Sequence, residues 1–203
     1  QQRIKPCGGG MAAAVQQWFP FSLEPAVEQV IRRVDFSWCL GDPVIAELPG
    51  EAPFWIVRRE RLDELLAEQA IRSGAERSRD VTVNAVSKAD DIWQVKASDG
   101  RSWRSRALVI ADGSASPWPQ QLGLGARQVQ TASTMSVRLE GQGTLQNGTT
   151  RFEFGLVKQG FAWAFPLANG VNIGVGSFVG RQAADPDAVL SQLLPDRGFE
   201  QDA

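Results

Sequence analysis

Apolar positions along the chain recur at two spacings, and each spacing predicts its own kind of element. Val27, Val30, Ile31 and Val34 repeat at helical intervals and predict a helix over 22–34, capped by Ser22 with Pro25 in its first turn. Leu62, Leu65, Leu66 and Ala70 predict a second helix over 58–73, with Gly74 as its stop. Shorter helices are expected over 11–17 and from Asp185-Pro186 to Leu194. Strict alternation predicts a strand through Val34, Phe36, Trp38 and Leu40, with 44–48 pairing back and 54–57 following Pro49-Gly50. Further strands fall near 81–83, 92–97 and 103–110, joined by Asp90-Asp91 and Asp99-Gly100. From Thr134 onward the chain is strand-rich, over 134–140, 151–157, 161–167 and 171–178, with Asn169-Gly170 turning between the last two.

One run breaks both spacings. Ala107-Leu-Val-Ile110 is continuously apolar, as a strand buried on both faces would be, and it stops at Ala111-Asp112-Gly113. Ligands of open α/β sheets sit beyond the carboxyl ends of such strands, so this turn is a candidate binding position. A second glycine-rich stretch, Gly174-Val-Gly176-Ser-Phe-Val-Gly180, has its third glycine one residue too late for a dinucleotide fingerprint. It reads as a strand that lets something pack closely. The pattern as a whole is that of an α/β (α+β) protein.

Composition narrows the chemistry. The 203 residues are 43% hydrophobic and 22% charged with a net charge of −2, which suits a globular core and gives no basic field for nucleic acid. No apolar run has the length of a membrane span. Two cysteines, Cys7 and Cys39, are too few for a disulfide framework. Histidine is absent, which excludes Ser-His-Asp and Cys-His catalysis and histidine metal sites within this chain. Lys5-Pro-Cys7-Gly-Gly-Gly10 permits close backbone approach to a ligand. Arg58, Arg59 and Arg61 crowd the start of the 58–73 helix, where the helix dipole disfavours cations unless an anion lies near.

Four stretches in order complete the picture: Lys5-Pro-Cys7-Gly-Gly-Gly10, Arg59-Glu-Arg-Leu62-Asp63, Ala111-Asp112-Gly113 with Ser116, and Gly160-Phe161-Ala-Trp163-Ala-Phe165-Pro166. In that order the chain resembles the geranylgeranyl reductases, FAD-dependent oxidoreductases with the p-hydroxybenzoate hydroxylase fold. The resemblance implies an incomplete Rossmann-like FAD domain with a β-meander over 1–118. A mostly antiparallel substrate sheet would follow over 119–203, with 35–57 able to pair with it. The family's first strand–G-x-G-x-x-G–helix unit would precede Gln1, so an internal piece of such a flavoprotein is expected.

The implied activity is reduction of isolated C=C bonds in an isoprenoid or prenylated small molecule, with NADPH or ferredoxin as electron donor. Cys7 is the implied proton donor or substrate contact. Gly8, Gly9, Gly10, Arg59, Asp112 and Gly113 are the implied FAD contacts, and Phe161, Trp163 and Phe165 the implied prenyl wall. A cytoplasmic or membrane-peripheral location and an oligomer are compatible expectations. The residues alone also admit plainer roles: Cys7 as an inert thiol, Arg59 as a solvated charge, Asp112 as a turn residue, Trp163 and Phe165 as core. At the level of the whole chain, a flavin monooxygenase or halogenase of the same fold, or a non-catalytic lipid- or protein-binding remnant, remain alternatives. If the turn at 112–113 faces the flavin, Asp112→Ala weakens flavin retention in the full-length parent more than Asp63→Ala does, measured by bound-flavin absorbance.

Overall fold

Most alternating stretches become strands, and of the two helical repeats only the one over 58–73 becomes a helix. The computed structural model describes residues 5–125, 132–141, 145–177, 185–196 and 198. In chain order these form β1 (Gly10–Ala12), a 3-10 turn (Ala13–Trp18), a second (Glu24–Ala26), β2 (Val27–Ile31), β3 (Arg33–Trp38), β4 (Gly41–Glu47), β5 (Phe54–Val57) and α1 (Arg59–Arg72). There follow β6 (Val83–Ala89), β7 (Ile92–Ala97), β8 (Ser102–Ser105) and α2 (Trp118–Gln121). The last part holds β9 (Ser133–Glu140), β10 (Thr149–Phe154), β11 (Gly160–Leu167), β12 (Gly170–Ser177) and α3 (Pro186–Asp196). Gly180, the end of the false fingerprint, and Phe178 lie outside the described residues.

The architecture is mixed α/β. One compact unit joins residues 1–73 to 130–203, and a second spans 74–129. The second unit is organised on the meander β6-β7-β8. Its β6–β7 turn places Asp90 and Asp91 at φ 49° and 60°, a left-handed pair that aspartate tolerates better than most residues.

The first unit contains a six-stranded sheet in the order β4-β3-β10-β11-β12-β9 and a three-stranded sheet β1-β5-β2. The pairing of β3 with β10 is parallel, and the other pairings of the large sheet are antiparallel. One face of the large sheet, through Ala162, Ala164, Val171, Ile173 and Val175, packs on Val189, Leu190, Leu193 and Leu194 of α3. Asp185 caps that helix, accepting from the backbone N–H of Asp187 at 3.1 Å. The opposite face carries Trp163 and Phe165, which pack with Ile31 and Ile56 of the small sheet.

Two local features lock this arrangement. Trp163 lies flat on β12, where a Cβ on Gly174 would stand 2.2 Å from the indole Cζ2. The close packing expected of this glycine-rich strand is therefore packing against a tryptophan. The indole Nε1–H donates to Asn172 Oδ1 at 2.8 Å, so its one polar atom is satisfied inside the core. Beneath the other face, buried Glu153 accepts from the Ser37 hydroxyl and from the Leu40 N–H, the latter at 2.7 Å. It thereby anchors the β3–β4 turn, in which Cys39 and Leu40 take left-handed φ values of 49° and 64°.

Three expectations are corrected. The helix over 22–34 is instead a 3-10 turn followed by β2 and β3. Its periodic residues are all β-branched, and Ile31 gains full burial by pairing through β5 onto the aromatic face, which outweighs a fortuitous helical spacing. The 11–17 stretch divides into β1 and a 3-10 turn because residues 10–12 pair with β5. The run 107–110 forms no strand: Val109 is 86% exposed, and no described strand lies beside it to share a ladder.

Gly174→Ala is expected to lower unfolding stability by about 1–3 kcal/mol, because the indole must leave its seat. Gly176→Ala costs less, since its nearest neighbour is a Thr134 methyl at 3.2 Å. Equal losses in urea titrations of the two variants would contradict this packing.

Candidate functional site

The Cys7–Gly10 turn meets the start of α1 because both adjoin β5. Gly10 is paired with Ile56, and the Val57 N–H donates to the Gly9 carbonyl at 2.9 Å. Gly9 has φ +81°, and a Cβ there would stand 2.2 Å from the Val57 carbonyl oxygen, so only glycine fits. A Cβ on Gly8 would be 2.7 Å from ring atoms of both Phe165 and Trp163. A Cβ on Gly10 would stand 2.8 Å from the Phe54 ring. Packing of the turn onto protein thus requires all three glycines.

The chain after β5 enters α1 at once, which puts Arg59 and Asp63 on one helix face at i, i+4. Arg59 Nε and Nη2 donate to Asp63 Oδ1, each at 3.2 Å, and Nη1 donates to Cys7 Sγ at 3.5 Å. Lys5 Nζ donates to the other carboxylate oxygen of Asp63. Burial pushes the Asp63 carboxyl up, but the hydrogen bonds and charges of Lys5 and Arg59 outweigh it and hold the group below the usual aspartate value. Burial likewise opposes the Arg59 charge, and contacts with Cys7 and Asp63 overcome it, so its pKa lies above the ordinary one. The protein's own acids answer the cations at the helix start: Glu28 pairs with Arg58, and Asp63 with Arg59.

Phe161, Trp163 and Phe165 stand on the same sheet face and continue it with Phe152 and Phe154 of β10 and Phe36 of β3. Phe152 meets Phe161 and Phe165 edge-on at 5.5 and 5.3 Å between ring centroids. Phe36 stacks on Phe152 at 5.8 Å. Trp163 and Phe165 are core, 7% and 6% exposed, whereas Phe161 is half-buried. The wall therefore has a sealed part under Gly8 and a more open part towards Phe36, itself 36% exposed.

Asp112 and Gly113 belong to the other compact unit. Both are exposed, and Gly113 has φ +105° with open space where a Cβ would point. Beside this turn, Val83, Val95, Leu108, Ile110, Asp112 and Trp118 line an open cavity of about 420 Å³. The structure therefore brings together Cys7–Gly10, Arg59, Phe161, Trp163 and Phe165 in one unit, and places Asp112 and Gly113 in the other. Sequence reading missed Lys5, Asp63, Phe152 and Asn172 as parts of the site. Asp63 was visible as the i+4 neighbour of Arg59, and Phe152 as the alternating partner of Phe154.

Comparison with known proteins gives this geometry a context. No protein-family model matches the chain. Menaquinone reductase of Mycobacterium tuberculosis is 29% identical over 201 residues, spanning 90% of this chain and 48% of its own length. Digeranylgeranylglycerophospholipid reductase of Methanococcus vannielii is 23% identical over 141 residues, 66% of this chain and 36% of its own. Among solved structures, a geranylgeranyl bacteriochlorophyll reductase-like protein of Thermoplasma acidophilum superposes with a TM-score of 0.79 at 18% identity, over 94% of this chain and 51% of that one. In sequence the chain is similar to these two reductases, and it shares the fold of the reductase-like protein.

It spans about half the length of the foremost of these relatives. The fold is shared more widely: halogenase PltM, solved with phloroglucinol and FAD, superposes with a TM-score of 0.64 at 18% identity, over 86% of this chain and 41% of that one. That neighbour of the fold holds FAD, and two residues here have groups free to meet such a ligand. Arg59 keeps guanidinium donors beyond those given to Asp63 and Cys7. Asp112 offers an exposed acceptor beside a glycine whose open side admits a ligand. No helix among the described residues is long and apolar enough to cross a membrane.

Because the Asp63 carboxyl is depressed in the folded chain, its stabilising contribution is present above the unfolded value, near 3.8, and is lost as pH falls through the folded one. Asp63→Asn is expected to remove that part of the acid dependence while leaving stability near neutrality within about 1 kcal/mol, since the pair is only part-buried. Melting temperatures across an acid series, at low and high salt, test it. A wild-type and variant pair with parallel acid profiles would contradict the network.

Proposed function

We propose that the chain forms part of an FAD-dependent reductase that saturates isolated C=C bonds of a prenyl chain. The observation that carries this reading is the adjacency of a thiol, a guanidinium and an aromatic wall around the Cys7–Gly10 turn. An isoprenoid offers no polar handle, so binding rests on apolar surface of the kind Phe161, Phe152 and Phe36 present. FAD, when bound and reduced by NADPH, or by two single electrons from ferredoxin with protons from solvent, would supply the hydride equivalent for one alkene carbon. Cys7 gives the proton to the neighbouring carbon, and its thiolate regains a proton from solvent. Arg59 would hold the pyrophosphate or ribityl part of the flavin, and Asp112 a ribityl hydroxyl with Gly113 giving backbone room. A prenyl lipid resides in a bilayer, so attachment to a membrane surface belongs to the same reading, as does assembly into an oligomer.

The likeness to a FAD-containing halogenase supports one other reading, flavin-dependent oxygenation or halogenation of an aromatic substrate. The two diverge in what they consume. Full-length protein is expected to purify with bound FAD and to saturate a geranylgeranyl substrate anaerobically with a reduced donor, read by a mass gain of two hydrogens per bond. Colourless protein that gains no flavin on reconstitution would sink both readings. Oxygen-dependent turnover of an aromatic compound would favour the second, and lipid binding without flavin or turnover would mark a non-catalytic remnant.

A further inference from the structure

Cys7 and Arg59 do not meet by their own packing alone, since a single carboxylate holds both ends of the contact. Asp63 Oδ1 takes two N–H groups of Arg59, which fixes the plane of the guanidinium and turns Nη1 towards Cys7 Sγ. Asp63 Oδ2 takes Lys5 Nζ, two residues before the thiol in the same backbone segment. Arg59 and Asp63 have side chains 30% and 37% exposed, so the assembly is part-buried and open to reagents at its rim. We propose that Asp63 is a positioning residue that sets the reactivity of the Cys7 thiol, by aiming Arg59 at the sulfur and tethering the segment that carries it.

The chemical basis is the charge that sulfur must bear. Whether the thiol releases a proton or attacks an electrophile, negative charge develops on Sγ, and a guanidinium aimed at it favours that charge. Arg59 without its carboxylate partner is free to turn to solvent, and the sulfur then loses its directed cation. A lysine in place of Arg59 keeps the charge but not the fork that lets one side chain engage Asp63 and Cys7 together.

This inference rests on Cys7 being the reacting thiol of the proposed reductase, yet its test needs neither flavin nor substrate, so the two can fail separately. Cys39, exposed in the β3–β4 turn, is a reference thiol in the same molecule. The full chain is treated with limiting iodoacetamide near neutral pH, and modification at each cysteine is followed by peptide mass. The Cys7-to-Cys39 rate ratio is expected to fall roughly three- to tenfold in Asp63→Asn and in Arg59→Lys. It is expected to recover by at least half of that loss in Asp63→Glu. An unchanged ratio in Asp63→Asn overturns the proposal, and so does a rise, which would make Asp63 only a shield. A fall that Asp63→Glu does not reverse also overturns it, because the residue is then structural.

Discussion

The Trp163 indole is held from three directions. Gly174 leaves room for it on the sheet, the Gly8 backbone closes over it, and Asn172 accepts its N–H. The contacts at Gly174 and Gly8 each exclude a side chain at the facing position, so the glycines of two distant segments are explained by one ring. A buried tryptophan of this kind is worth about 3–5 kcal/mol against truncation to alanine. That is a large share of the roughly 5–15 kcal/mol that separates a folded domain from its unfolded chain. The thiol-bearing turn rests on this ring and on Phe165, and its place beside α1 follows from theirs.

The site is consequently built on the core. Trp163 and Phe165 serve as floor for the Gly8–Gly10 turn before they can serve as wall for any ligand. The ligand-facing part of the aromatic face lies further along, through Phe161 towards Phe36, where rings are half-buried or exposed. Charge is arranged in the same economical way. Two of the three arginines at the start of α1, Arg58 and Arg59, are paired in place with Glu28 and Asp63, which offsets part of their conflict with the helix dipole.

Much of this was legible in the chain because alternation is a strong signal when one sheet face is buried. β3, β4, β5 and β9 to β12 fall where period two put them, and α1 where Leu62, Leu65 and Leu66 did. The failure over 22–34 has a clear physical source. Valine and isoleucine at positions 27, 30, 31 and 34 satisfy helical spacing by number and strand packing by shape, and the partner that decides, β5, is more than twenty residues away. The run 107–110 failed for the complementary reason, since apolar content alone does not supply a neighbouring ladder. Of the site, Cys7, the glycines and Arg59 were found through resemblance. Asp63 was passed over because a helix-surface acid looks like many others until its two oxygens are seen to face Arg59 and Lys5.

The parallel pairing of β3 with β10 has a consequence for how this chain comes to exist. Arg33 is matched with Thr149 and Trp38 with Phe154, so each partner is made more than a hundred residues after the other. Until β10 emerges from the ribosome, the β3–β4 hairpin carries an unpaired inner edge with Phe36 and Trp38 beside it. Local contacts cannot close that edge, and the loop that must close is long, which slows folding and lengthens exposure. The newborn chain is thus most prone to aggregate while its intervening meander is being synthesised, and translation speed through residues 74–148 becomes a determinant of yield.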